Sequence, residues 1–237
     1  MNHLQHSKIV YKYFLLISLL GTFILLLLIQ APLKTVYTWQ KLLIFSLFLL
    51  ICFLGTIAGL YPSKCFKAGK FKQKMDYNSK SENKCQEIKF RGHHPICKNY
   101  RTHKFNFKGK TYCAGCSGMV TGATISIVST IIYVFYGSIK DYNSIIFITG
   151  IILSLTALYL PLIINFKKNI YKFLINVFFV LGALFSLIGI NSINSSLSIQ
   201  LYFIVLILIW IVTRILISRE THQKICDECL LESCKVI

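Results

Sequence analysis

Long uncharged stretches alternate with short charged ones along this chain, and the alternation sets its expected architecture. The first stretch, Tyr13 to Leu33, lies between Lys12 and Lys34, and its core from Phe14 to Ile29 is almost wholly Leu, Ile and Phe. It is longer than the 7–15 apolar residues of a cleaved signal, and no A-x-A-like site follows, so it is expected to be a first membrane helix. A second helix is expected over Leu42 to Tyr61, ending near Pro62. A third should begin at about Cys113 and end near Tyr136, and a fourth should lie within Tyr142 to Phe166, with Pro161 kinking or ending it. The last stretch, Phe173 to Thr213, is too long for one crossing. The turn-favouring run from Asn191 to Ser196 divides it, predicting a fifth helix over Phe173 to Ile190 and a sixth over Ser198 to Ile217. Gly55 with Gly59, and Gly118 with Gly122, have the small-x3-small spacing that lets membrane helices approach closely.

The expected fold class is therefore all-α, a polytopic membrane bundle of about six helices. Composition agrees: of 237 residues, 55% are hydrophobic and only 14% charged, and mean hydropathy is +0.62, where soluble domains carry about 25% charge. The chain divides into helices 1–2 (residues 1–61), a basic loop (62–112), helices 3–6 (113–217) and a Cys-containing tail (218–237). Fourteen of the 26 basic residues lie between Ser63 and Tyr112. With six crossings and the amino end inside, 23 basic residues fall on the inner side and three, Lys34, Lys41 and Lys140, on the outer side. The positive-inside rule then puts both termini and the loop in the cytoplasm of a multi-pass cell-membrane protein. The bilayer is the expected partner. The loop's Lys-rich first half, Lys64 to Lys89, could lie on anionic headgroups, although topology alone accounts for Lys-rich inner loops. The expected spans contain no Asp, Glu or Lys, and no Arg before Arg214, which is expected to snorkel to the interface. That argues against a proton-coupled pump or an ion channel.

Topology changes the meaning of the cysteines. Cys52 falls within helix 2 as a small packing residue, and the other eight, Cys65, Cys85, Cys97, Cys113, Cys116, Cys226, Cys229 and Cys234, fall on the inner side. The cytoplasm is reducing, so paired cysteines there point to metal ligation or redox chemistry rather than structural disulfides. His94-x2-Cys97, fifteen residues and Cys113-x2-Cys116 make a zinc-type spacing with His in one Cys position. Zinc takes four N or S ligands in a tetrahedron, and an x2 spacing lets both members of a pair reach one ion across a tight turn, which Pro95 and Gly115 suit. His94, Cys97, Cys113 and Cys116 form the first candidate set, with His93 or His103 as substitutes. His222, Cys226, Cys229 and Cys234 could form a second site or share the first. The same Cys113–Cys116 pair, at a helix start where the dipole favours thiolate, also suits a dithiol oxidoreductase. Haem attachment is excluded there because Ser117, not His, follows Cys116.

Cys113-Ala-Gly-Cys-Ser-Gly-Met119, followed by Gly122, resembles the domain of unknown function 2085 family of prokaryotic membrane proteins. The resemblance covers His93 to Ala123, with helices on both sides. It departs in the first half, where His93-His94-Pro95 and Arg101-Thr102-His103 replace the family's Cys-His-Gln and Arg-Ser-Phe, as in a divergent archaeal-type branch. It implies an integral membrane location, no assigned activity, and Cys113, Cys116, His94 and Cys97 as shared positions.

Three functions follow as expectations. The first is a zinc-folded knuckle with a structural or interaction role on the cytosolic face. The second is a membrane-tethered dithiol oxidoreductase. The third is an enzyme or carrier for lipid phosphates, which scarce acidic residues for acid–base work make less favoured. Aromatics from Phe90 to Tyr112 alternate with basic residues, but beside a membrane such residues anchor the interface, so nucleic acid is not the expected partner.

Overall fold

The computed structural model describes residues 3–30, 38–60, 90–91, 94–95, 103–107, 110–137, 143–164, 166, 168–194 and 196–235. Among the described residues six helices carry the fold: α1 (His3–Leu28), α2 (Thr38–Leu60), α3 (Ala114–Tyr136), α4 (Asn143–Ile163), α5 (Asn169–Ile193) and α6 (Leu197–Lys235). Each holds a stretch long and apolar enough to cross a membrane. Between α2 and α3 stand two small antiparallel hairpins. In one, β1 (Phe90–Arg91) pairs with β2 (His94–Pro95). In the other, β3 (Lys104–Phe107) pairs with β4 (Lys110–Cys113), with Lys104 opposite Cys113 and Phe107 opposite Lys110. The basic-loop segment Lys64–Lys89 lies outside the described residues.

The helices alternate in direction. Antiparallel neighbours are marked by contacts such as Ser18 to Thr213 (α1 and α6, 2.9 Å) and Lys41 to the Tyr133 carbonyl (α2 and α3, 3.3 Å). Helix α5 is central, with 72% of its apolar window buried against 22% for α1 and for α2. Its Phe179, Leu184, Leu187 and Ile190 meet Phe45 and Phe48 of α2, Leu158 of α4 and Phe203 and Trp210 of α6 in one core. Helices α1 and α2 instead keep many large apolar side chains exposed, as lipid-facing helices do.

Close helix approach is set by small residues, but not by all the expected ones. A Cβ on Gly118 would collide with the Phe173 carbonyl oxygen, and one on Gly122 would lie 3.0 Å from the Val177 carbonyl oxygen, so this pair seats α3 on the α5 backbone. Gly55 meets nothing within 4 Å, and Gly59 meets mainly the Val120 side chain. The tightest seam lies elsewhere. Gly150-x3-Ser154 on α4 faces Gly182-x3-Ser186 on α5: a Cβ on Gly150 would lie 2.5 Å from Ser186 Oγ, and one on Gly182 2.5 Å from Ser154 Oγ.

Four helices run past their expected ends. α1 begins at His3, ten residues before Tyr13, and so takes in Lys8 and Lys12. α2 begins at Thr38 and α5 at Asn169, which brings Lys41 and Lys172 into helices expected to hold no lysine. α6 continues to Lys235, so residues 218–235 form a helical extension rather than a separate tail. The reason is physical. Charge ends the favourable transfer into lipid, but it does not end helical hydrogen bonding, and no Gly or Pro follows Leu216 to break the turn-by-turn pattern. Pro161 falls in the last turn of α4, which stops at Ile163.

Far from the hairpins, polar side chains meet where α3 and α5 end and α6 begins. Asn191 Nδ2 donates to Tyr133 Oη at 3.1 Å, Gln200 Nε2 donates to Asn191 Oδ1 at 3.4 Å, and Tyr133 Oη and Ser192 Oγ lie 3.3 Å apart. The Lys41 ammonium donates to the Tyr133, Val134 and Gly137 carbonyls at 3.3–3.5 Å and sits 4.5 Å from the Tyr133 ring centroid. It thereby closes the negative end of α3 from a neighbouring helix.

Candidate functional site

The opposite end of the bundle is built around the junction of β4 and α3. Cys113 ends β4 and is the N-cap of α3, extended at φ −73° and ψ 126°, and its side chain makes no capping hydrogen bond. Cys116 follows in the first turn. N-cap and N3 are neighbouring positions over a helix start, as in a capping box, so the pair sits on a strand–helix junction and not on the tight turn expected from Gly115. Neither cysteine is in a disulfide, and both are half-buried. They stand at the positive end of the helix, a setting that favours thiolate.

The second hairpin holds this junction against α5. Asn169 Nδ2 donates to the Lys104 carbonyl at 2.9 Å, and the rings of Phe105 and Phe173 meet edge to face with centroids 5.9 Å apart. His103, just before β3, lies 2.6 Å from Lys172 Nζ through its Nε2. A lysine ammonium has only donors, so Nε2 accepts and the proton sits on Nδ1. Lys172 also interacts electrostatically with Cys113.

Behind the thiols lies a polar link that the apolar pattern of the chain conceals. Asn176, one turn after Lys172 on α5, donates from Nδ2 to the Lys172 carbonyl at 2.6 Å. Its Oδ1 accepts from Arg214 Nε of α6 at 3.1 Å. Arg214 therefore turns inward, which corrects its expected snorkelling towards the interface. Asn176 is itself buried, and a Cβ on Gly115 would lie 3.6 Å from its amide nitrogen, so this link packs directly behind the Cys113–Cys116 turn. Three functional candidates thus emerge that residue spacing does not mark: Lys172, Asn176 and Arg214. The available signal is the presence of an Asn and an Arg inside otherwise apolar runs, since each is costly in lipid without a partner.

Of the expected metal ligands, Cys113 and Cys116 share the start of α3, and His103 lies at the same end with Nε2 turned to Lys172. The structure gives His94 only as backbone in β2, and His93 and Cys97 lie outside the described residues, as do Cys65 and Cys85. His222, Cys226, Cys229 and Cys234 all fall on the extension of α6, described in backbone only. Among the described residues no group of three or more His, Cys, Asp or Glu side chains gathers to hold a metal ion. The chemistry in view is therefore two soft thiols at a helix start with a cationic surround. No family model, curated protein or solved structure matches the chain.

Proposed function

We propose that this is a multi-pass cell-membrane protein whose hairpin end faces the cytoplasm and carries a zinc-type thiolate site with a structural or interaction role. Cys113 and Cys116 supply two ligands, and His94 and Cys97 complete the tetrahedron from the preceding loop. The observation that carries this is the placement of two half-buried cysteines, neither in a disulfide, at the start of α3, with Cys113 interacting electrostatically with Lys172. Zinc ligation needs thiolates, and a helix start with a lysine ammonium nearby stabilises them. The charge also suits: one His and three thiolates on Zn²⁺ leave a net charge of −1, which a single cation balances. The bias of 23 basic residues to three supports the cytoplasmic orientation. Kinship with the domain of unknown function 2085 family, carried by Cys113 to Met119 and Gly122, belongs to the same proposal.

The test is metal retention in variants. Cys113→Ser and Cys116→Ser should each lower bound zinc and make the loop before α3 more sensitive to protease. Full zinc and unchanged proteolysis in both variants would sink the proposal. A second function, dithiol exchange by the same pair, is favoured by one observation: both cysteines lie at one helix start and are partly accessible. It calls for reversible Cys113–Cys116 oxidation in protein that holds no tightly bound zinc.

A further inference from the structure

A buried asparagine is costly inside a membrane bundle, and its amide must find partners there. Asn176 of α5 is 4% exposed and lies within the span Asn169–Ile193. Both ends of its amide are engaged. Oδ1 accepts from Arg214 Nε of α6 at 3.1 Å, and Nδ2 donates to the Lys172 carbonyl, one turn earlier on α5, at 2.6 Å. A guanidinium only donates and a carbonyl only accepts, so the two partners together fix which way the amide lies. An apolar side chain of the same size would fill this place at no polar cost, so packing alone does not call for an amide here.

What the Asn176 side chain touches is the turn that carries both cysteines. A Cβ on Gly115, the residue before Cys116, would lie 3.6 Å from Asn176 Nδ2 and 3.9 Å from Cys113 Sγ. The amide nitrogen and the Cys113 sulfur thus flank one backbone position. A Cβ on Gly118 would lie 3.1 Å from Asn176 Cβ. Gly115 and Gly118 bracket Cys116, and neither has a side chain to act as a spacer, so the first turn of α3 rests on Asn176 together with the Phe173 carbonyl. The turn has no side-chain cap of its own, since Cys113 makes no capping hydrogen bond. Its support from α5 runs through Asn176, which α6 in turn holds through Arg214.

We propose that Asn176 is a positioning residue of the thiol site, with Arg214 as the group that fixes its amide. This rests on the metal reading above and gives Asn176 no bond to the ion. Asn176 holds the α3 turn so that the sulfurs of Cys113 and Cys116 stay at a spacing from which both reach one ion. Outer groups that orient metal ligands are worth about 10–100-fold in affinity, because ligands that must first be rearranged bind weakly.

Two variants of the detergent-purified full chain test this. Asn176→Leu combined with Arg214→Met replaces the link by apolar side chains of similar size. Neither partner is then left buried alone, so the melting temperature should stay within a few degrees of the wild type. Zinc affinity, read by chelator competition, should nevertheless fall about 10–100-fold. Asn176→Asp keeps the shape and offers Arg214 a carboxylate, but it cannot donate to the Lys172 carbonyl. It should melt no lower than the wild type and still bind zinc about tenfold more weakly. A merely structural residue would move melting and zinc affinity together. If the double variant fails to fold, Asn176→Asp decides alone. Phenylarsine oxide, which joins two thiols at one arsenic atom with loss of water, reads the same spacing without zinc, and both variants should retain it less firmly. Wild-type affinity in either variant, for whichever of the two probes the wild type binds, overturns the proposal. So does a wild type that binds neither zinc nor the arsenical. A wild type that binds the arsenical alone, with weaker retention in the variants, removes the metal reading and leaves Asn176 as the residue that sets the thiol spacing.

Discussion

The two ends of the bundle both bury polar side chains, and they balance them differently. At the far end Tyr133, Asn191, Ser192 and Gln200 bond to one another, and Lys41 turns its donors to the last carbonyls of α3. Gln200 Oε1 is the atom of this network that lacks a partner among the described residues. The groups are otherwise neutral or matched, so the far end reads as a clasp between helices. At the hairpin end Lys172 and Arg214 meet thiols, a histidine and an amide, and Glu220 alone brings a carboxylate to the adjoining spans. A polar cluster that closes on itself holds a fold together, whereas one left with net charge calls for something from outside. That difference is why function is placed at the hairpin end.

The largest expected effect tests whether the hairpin end is anchored by backbone contact. Gly118→Leu should force α3 off Phe173 of α5 and cost at least about 3 kcal/mol, seen as lost folded yield or a collapsed melting temperature. Gly55→Leu, in open space, should stay within about 0.5 kcal/mol of the wild type. Equal effects would mean that α3 and α5 do not meet as described. Next, Cys113→Ser should remove most of the bound zinc while leaving the far end intact, read by elemental analysis beside a thermal melt. Tyr133→Phe sharpens the contrast from the other side. Losing the hydroxyl that Asn191 donates to should cost about 1–2 kcal/mol with no change in zinc content. A fall in zinc there would show that the two ends are coupled. Among the variants that remove a contact, the smallest effect belongs to Lys41→Met, which should cost about 0.5–1 kcal/mol by uncapping α3.

Much of this fold is legible in the amino-acid sequence, and the illegible parts share a cause. The gaps between charges locate all six helices, because a stretch of about 20 residues without charge has few other uses. The same criterion misplaces helix ends, since Lys41, Lys172 and residues 218–235 are helical without being apolar. The hairpins escape it too, although Lys104-Phe105-Asn106-Phe107 alternates polar and apolar positions, as a strand does. In that loop the metal-type spacing of His and Cys overlies the weaker signal of periodicity. Gly55-x3-Gly59 and Gly118-x3-Gly122 look alike as strings, yet only the second pair closely meets the backbone of another helix at both glycines, because spacing does not name the partner helix. Of the candidate site, the Cys113–Cys116 pair is legible from spacing and helix position. Lys172, Asn176 and Arg214 are not, since they come from two other helices and meet only in three dimensions.

The most direct measurement is zinc per chain in detergent-purified wild-type protein, by elemental analysis beside a free-thiol count. The account predicts about one zinc per chain, with Cys113 and Cys116 protected from alkylation until the metal is chelated. Two zinc ions would bring in the His222 to Cys234 extension of α6. No metal, with Cys113 and Cys116 readily oxidised to one another, would contradict the account and make dithiol exchange the function to pursue.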